Sequence, residues 1–309
     1  MKLFIDGSSG TTGLRIRQRL AQRPDVELIT LPDEERRDVE RRRWALNHCD
    51  AAFLCLPDDA ARQAVSLIEN ERVTVLDTST AHRTAPGWTY GFPELSAAHR
   101  RAVCAGGRIA VPGCHASGFI ALIYPLVAAG LLPKAALLTC SSVTGYSGGG
   151  KKMIDEYESA GRRDVLSTPR QYALGQTHKH LPEMLAVTGL QHAPVFSPIV
   201  ADFYSGMAVT VPLFRSQLCG GAGADEIRAV YRAVYGGPVV RYAEQLDEDG
   251  FFSGGRLSGR DCMEISVAGC EDRILLLAQY DNLGKGASGA ALQCLNLALG
   301  ADETAGLAL

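Results

Sequence analysis

Along the first half of the chain, short apolar runs alternate with segments of helical period. The runs at residues 2–6, 26–31, 51–56, 73–78 and 108–111 predict strands, and residues 12–22, 34–47, 58–70 and 94–103 between them predict helices. Strands that alternate with helices of this length form βαβ units on a parallel sheet. Past residue 114 the rhythm changes. An apolar helix at 119–129 leads to a strand at 136–144 and a Ser/Gly-rich loop at 145–150. Strands follow at 206–214, 263–268 and 274–280, with a helix at 224–235 and an apolar closing helix at 286–299. The fold class is therefore α/β with a parallel sheet, followed by an α+β domain.

Composition narrows the partners. The 309 residues suit two ordinary domains and need no disulfide or metal staple. With 46% hydrophobic and 21% charged residues, the chain reads as globular, not disordered or coiled-coil. Its 31 basic and 34 acidic side chains leave a formal charge of −3, so nucleic acid is excluded as an expected partner. The apolar stretches are too short to span a bilayer and the first residues carry no secretion signal, which predicts a cytoplasmic protein. Nine cysteines contain no Cys-x-x-Cys pair, against zinc-ribbon and thioredoxin readings. Cys55, Cys140 and Cys262 lie in apolar runs and read as small core hydrophobes. The charge run at 33–43, with Asp33/Arg37 and Asp38/Arg42 spaced by four, predicts a solvated helix.

The first strand runs into Gly7-Ser-Ser-Gly10-Thr-Thr-Gly13 and then into a helix. This strand–turn–helix setting gives a Gly-x-x-Gly-x-x-Gly run its meaning as a dinucleotide site. Gly7 permits the tight turn, Gly10 the approach of a pyrophosphate and Gly13 close helix–strand packing. Helix amides, with the hydroxyls of Ser9, Thr11 and Thr12, face the anion. The second strand ends on Thr30 where an acidic residue would bind a ribose 2′-hydroxyl, and Arg36 and Arg37 follow within reach of a phosphate. Asp33 and Glu34 oppose them, and the balance favours NADP(H).

Cys114, in Pro112-Gly-Cys114-His-Ala-Ser-Gly118, stands between a strand and an apolar helix. A helix N-terminus stabilises a thiolate, which makes Cys114 a candidate nucleophile; burial as a small hydrophobe is the alternative. Among seven histidines only His178-Lys-His180-Leu-Pro-Glu183 forms a cluster. In an extended segment the two rings share a face, so one can reach the thiol while the other braces it. Pro182 is expected to hold Leu181 extended, and Glu183 to orient a ring or bind substrate. No ligand set accompanies the pair, so no metal is expected.

Six segments in order resemble the N-acetyl-gamma-glutamyl-phosphate reductases, in the shorter subtype, relatives of aspartate-semialdehyde dehydrogenase. They are the glycine turn, Leu76–Arg83, Pro112–Gly118, Gly145–Lys151, His178–Glu183 and Asp281–Ser288. His115-Ala-Ser117 departs from the aromatic residue common after the family's cysteine. The resemblance implies an α/β Rossmann domain with a parallel sheet that binds NADP, at 1–114 joined by the C-terminal helix at 285–309, with an α+β catalytic and oligomerisation (dimerisation) domain at 115–284. It implies NADPH-dependent reduction of an acyl phosphate to an aldehyde through a cysteine thioester, in arginine biosynthesis. The nucleophile then maps onto Cys114 and the acid/base onto His178 or His180, with His180 preferred. Arg83, Ser147, Lys151 and Glu183 fall on substrate; Ser79, Asn282 and Gly286 fall on the cofactor. The partners expected are a small acyl phosphate and further copies of the chain, as a homodimer or homotetramer, with no membrane. Aspartate-semialdehyde dehydrogenase and a non-catalytic NADP-binding redox sensor are the alternative readings.

Overall fold

A computed structural model of the chain describes residues 1–8 and 10–309. These fall into two compact units, Met1–Pro93 with Ala97–Pro112 and Ala287–Leu307, and Glu94–Ser96 with Gly113–Gly286 and Ala308–Leu309. The first unit carries β1 (Lys2–Asp6), α1 (Thr11–Leu20), β2 (Glu27–Ile29), α2 (Val39–Asn47) and β3 (Ala51–Leu54). It continues with α3 (Asp58–Ser66), β4 (Thr74–Asp77), β5 (Thr89–Tyr90), α4 (Ala97–Cys104) and β6 (Arg108–Ala110). Among the described residues these strands form a six-stranded parallel sheet in the order β2-β1-β3-β4-β6-β5. Both faces are covered. Leu3 and Ile5 pack with Ile16, Leu20 and the closing helix Gly289–Ala298, while Phe4 packs with Ala45, Leu46 and Val75 on the other side. Two-sided burial is why β1 reads as a continuous apolar run.

In the second unit α5 (Cys114–Ala128) is followed by β7 (Thr139–Gly145), α6 (Gly150–Glu158), β8 (Arg170–Gln171) and α7 (Leu181–Thr188). Then come β9 (Val195–Ala201), β10 (Met207–Phe214), α8 (Ala224–Val234), β11 (Val240–Tyr242), β12 (Met263–Gly269) and β13 (Arg273–Tyr280). The sheet is mixed, in the order β11-β12-β13-β10-β7-β9-β8. Helix α5 packs on β10, β13, α7 and α8 and is buried almost all round, as its unbroken apolar sequence requires. Pro125 lacks the N–H that would bond the Ala121 carbonyl. The hydroxyl of Tyr235 donates to that carbonyl at 2.6 Å, and Tyr231 donates to Leu122 O at 2.5 Å.

Several expectations change. The charge run is not one solvated helix: residues 33–37 form a turn, and α2 starts only after Asp38, which accepts from the N–H groups of Glu40 and Arg41. Arg42 is buried against Asp6 rather than exposed beside Asp38, because a carboxylate at the buried end of β1 needs a cation. The helix expected from 119 begins at Cys114, since small residues in its first turn hide the apolar period. The loop expected at 145–150 passes through a 3₁₀ turn at Tyr146–Gly149 into α6. His178 and His180 lie in a turn, not an extended strand, and Leu181 is helical because Pro182 occupies the first turn of α7, where a missing N–H costs nothing. Cys140 and Cys262 are buried as expected, whereas Cys55 lies just past β3 and is only partly covered.

Candidate active site

In the first unit the chain leaves β1 through Gly7, whose φ of +88° favours glycine. A Cβ on Gly7 would lie 2.2 Å from the Cys55 carbonyl oxygen, and one on Gly13 would lie 2.5 Å from Gly7 O. Both positions need glycine for the chain's own packing. Gly10 differs. Its φ of −75° is ordinary, and the nearest atom to an added Cβ is Gly7 O at 3.7 Å. The missing side chain therefore leaves room at the N-cap of α1, where the amides of Thr11 and Thr12 open the helix. That is the fit a pyrophosphate requires. Ser9 lies outside the described residues.

A cavity of about 890 Å³ extends from Gly7 and Ser8 past Thr30 to Asp33, Arg36 and Arg37, with Arg17 on its wall. Arg36 is paired with Asp33 at 2.7 Å. Arg42 gives two hydrogen bonds to Asp6 Oδ2, at 3.0 and 2.8 Å. Burial still raises the Asp6 carboxyl above its ordinary range, against the pull of that guanidinium. Arg17 and Arg42 are cavity residues that the sequence reading missed. A basic residue four positions past Gly13 is the signal for the first; the second has no local signal.

After β4 the loop folds on Asp77, which is fully buried. Asp77 Oδ2 accepts from the Ser79 hydroxyl at 2.7 Å and from His82 Nδ1 at 2.6 Å, and the His82 ring stacks on Trp88. Arg83 donates to the carbonyls of Val111 and Thr78, each at 3.0 Å, and so braces the loop against the end of β6.

In the second unit Cys114 is the first residue of α5, with Gly113 as N-cap. Behind it lies a cluster of rings. His115 Nδ1 is 2.7 Å from Ser142 Oγ and its Nε2 is 2.6 Å from the Tyr172 hydroxyl. The centroids of His178 and His180 are 4.7 Å apart, and those rings stand 5.6 and 5.8 Å from His115. Phe196 closes the group. Burial, with the charges of His178 and Lys179, lowers His115 to about 3; burial and Lys179 lower His178 to about 4. Burial and the Cys114 charge raise the Tyr172 phenol. The His180 N–H donates to His178 Nδ1 at 3.1 Å, which leaves the proton of the neutral His178 ring on Nε2.

Glu183, almost fully buried, accepts the Gly113 N–H at 2.8 Å. Asn282 spends both ends of its amide within this unit: it donates to Ser147 Oγ at 3.0 Å and accepts from Gly206 N–H at 2.8 Å. Gly286 presses on Cys114, since a Cβ there would lie 3.0 Å from Cys114 Cβ. Lys285 is buried in an ion pair with Glu94 at 2.9 Å. Lys151 is exposed on α6. The second unit thus gathers His178 and His180 on His115, the residue after Cys114, and sets Glu183 on the Gly113 amide and Gly286 against Cys114, while Ser147 joins Asn282. The sequence reading missed Tyr172, Ser142 and Phe196 because their partners are remote along the chain. Among the described residues no His/Cys/Asp/Glu group is arranged to hold a metal.

Residues 2–103 match the family model of the semialdehyde dehydrogenase NAD binding domain, and residues 114–282 that of the semialdehyde dehydrogenase dimerisation domain. The chain is 45% identical over 306 residues to N-acetyl-gamma-glutamyl-phosphate reductase of Brucella ovis, covering 97% of this chain and 99% of the relative. It is 46% identical over 305 residues to the enzyme of the same name from Rhizobium leguminosarum bv. trifolii, covering 96% and 98%. Among solved structures, aspartate semialdehyde dehydrogenase II of Vibrio cholerae, complexed with ASA, superposes with a TM-score of 0.71 at 16% identity, covering 96% of this chain and 98% of that one. Aspartate semialdehyde dehydrogenase with NADP from Candida albicans gives 0.61 at 14%, covering 96% and 97%. At these identities the likeness is one of fold.

Proposed function

The chain belongs to the N-acetyl-gamma-glutamyl-phosphate reductases, within the semialdehyde dehydrogenase family, and from that premise we propose how its residues serve the reaction. It is an oxidoreductase that reduces N-acetyl-gamma-glutamyl phosphate to N-acetylglutamate semialdehyde and phosphate with NADPH, in arginine biosynthesis. The observation that carries the assignment of residues is the placement of Cys114 at the first position of α5, with Glu183 on its N-cap.

Cys114 attacks the acyl carbon as thiolate. The C–S bond forms as the C–O bond to phosphate breaks, and the leaving group departs as inorganic phosphate. NADPH, when bound, supplies hydride to the acyl carbon. The α5 amides face the carbonyl oxygen as its charge develops. His180, with His178 as brace, takes the thiol proton before attack and returns it to the Cys114 sulfur as the C–S bond of the hydride adduct breaks and the aldehyde leaves. Gly7, Ser9, Gly10, Thr11, Thr12 and Gly13 would hold the pyrophosphate, and Thr30 and Arg36 the 2′-phosphate. Ser79, Asn282 and Gly286 would line the rest of the cofactor site. Arg83, Ser147 and Lys151 would bind substrate; Glu183 acts by holding the Gly113 amide.

The first unit, with the closing helix Gly289–Ala298, is the dinucleotide-binding domain expected at 1–114 and 285–309, and the second unit, which takes in Cys114 as well as residues 115–284, is the catalytic and oligomerisation domain. The protein works in the cytoplasm as a homodimer or homotetramer. Exposed apolar side chains on the second sheet (Val195, Phe214 and Leu275) support self-association. Among the described residues no helix is long and apolar enough to cross a membrane.

The test is NADPH oxidation with N-acetylglutamyl phosphate set against aspartyl phosphate. Turnover is expected with the first and abolished in Cys114→Ser, with NADPH binding retained. Preference for aspartyl phosphate would reassign the substrate, and NADPH binding without turnover would leave only a sensor.

A further inference from the structure

We propose that Tyr280 is a positioning residue for Cys114, acting through its hydroxyl on the first turn of α5. In a regular helix the carbonyl of residue 114 pairs with the N–H of residue 118. Here the Tyr280 hydroxyl bridges those two groups: it accepts from the Gly118 N–H at 3.0 Å and donates to the Cys114 carbonyl at 2.5 Å. The Ser117 N–H bonds to Gly113 O at 2.9 Å, so the turn opens on regular helical pairing and the hydroxyl adds to it.

Tyr280 is fit to hold a backbone in place. It ends β13, its side chain is fully buried, and β13 packs on α5. Burial, then the charge of Cys114, pushes its phenol well above the ordinary value, so the hydroxyl keeps a proton to donate. The position of Gly118 follows from this contact. A Cβ on residue 118 would lie 2.7 Å from the Tyr280 hydroxyl oxygen and 2.7 Å from Val209 Cγ2. With Glu183 on Gly113 N–H and Gly286 against Cys114 Cβ, the nucleophile is gripped from three elements. The Sγ position depends on the backbone angles of Cys114, and Tyr280 fixes the peptide that follows it.

The hydroxyl is not required to satisfy the helix. In Tyr280→Phe the Cys114 carbonyl and Gly118 N–H still have each other as i, i+4 partners in α5, so the fold should survive while the grip is lost. The inference rests on Cys114 as nucleophile, and the experiment separates the two. Tyr280→Phe, Gly118→Ala and Cys114→Ser are compared with the unsubstituted enzyme in steady-state NADPH oxidation. Melting temperature and the pH profile of Cys114 alkylation, followed by peptide mapping, are recorded for each.

In Tyr280→Phe, kcat is expected to fall on the order of 10- to 100-fold with little change in KM, the usual cost of a misplaced reacting group. The midpoint of the alkylation profile is expected to move. Gly118→Ala, which displaces the same hydroxyl from the other side, should give the same pattern. A folded Tyr280→Phe with unchanged kcat and alkylation profile overturns the proposal. Should Tyr280→Phe not fold, Gly118→Ala decides. Loss of fold in both makes the hydroxyl structural and also overturns it. Activity retained in Cys114→Ser overturns the nucleophile instead.

Discussion

Glu183 and Gly113 are 70 positions apart in the chain, yet the carboxylate of one accepts the amide of the other at 2.8 Å. Glu183 lies in the first turn of α7, whose N-cap is His180, and Gly113 is the N-cap of α5, whose first residue is Cys114. One hydrogen bond therefore joins the helix that presents the thiol to the helix that presents the imidazole. A helix N-terminus leaves its first amides without intrahelical partners, and a buried one must find them elsewhere.

The two ways of removing that carboxylate should differ. In Glu183→Gln the amide oxygen can still accept from Gly113, so kcat is expected to fall less than about 10-fold. Glu183→Ala leaves the amide buried without its acceptor, which costs about 1–3 kcal/mol of stability. Its kcat should fall by on the order of 100-fold, as the spacing of thiol and ring relaxes. Thermal melts with steady-state kinetics check both, and equal loss in the two variants would point to a role for the charge itself.

The basic wall of the first-unit cavity should set cofactor choice. Arg36 is held by Asp33, whereas Arg17 and Arg37 line the cavity with Thr30. Arg36→Ala and Arg17→Ala are each expected to raise KM for NADPH by about 10-fold, the worth of a charge-assisted hydrogen bond to phosphate, with little change for NADH. Asp33→Asn should release Arg36 and improve NADPH use. Parallel changes with both cofactors would place these arginines on the pyrophosphate or outside the site.

What was legible in the sequence was local. The turn from Gly7 to Gly13 could be read because its glycines serve contacts within a few residues and the neighbouring Cys55 strand. Cys114 stood out by its Pro-Gly and Ser-Gly flanks. The helix start at Cys114 did not, since small residues carry no apolar period. The conformation of His178–His180 was misread because Pro182 stiffens a first helical turn as readily as it breaks a helix. Arg42 looked solvated by its spacing from Asp38, but its partner Asp6 is 36 positions away. Tyr172, Tyr280 and the place of Glu183 depend on which strand packs against α5, and no local pattern encodes that pairing.

The two histidines should separate by pH. Burial and the Lys179 charge lower His178 to about 4, so above about pH 5 its ring is already neutral and has no proton to give from an imidazolium. His178→Asn is therefore expected to keep the shape of the kcat/KM profile above pH 5 and to lose activity modestly, through the lost acceptor for the His180 N–H. His180→Asn should lower kcat by roughly 10²–10⁴-fold and change the profile's shape. Stability bounds the usable range. An unfolded histidine titrates near about 6.5, whereas burial holds His178 at about 4 and His115 at about 3. Between those values the unfolded chain binds more protons, so stability is present above about pH 6.5 and is lost as pH falls through that window. Each such site contributes a slope of at most about 1.4 kcal/mol per pH unit. The kinetic comparison is thus made where the melting temperature is level, and a profile altered by His178→Asn but not by His180→Asn would exchange their roles.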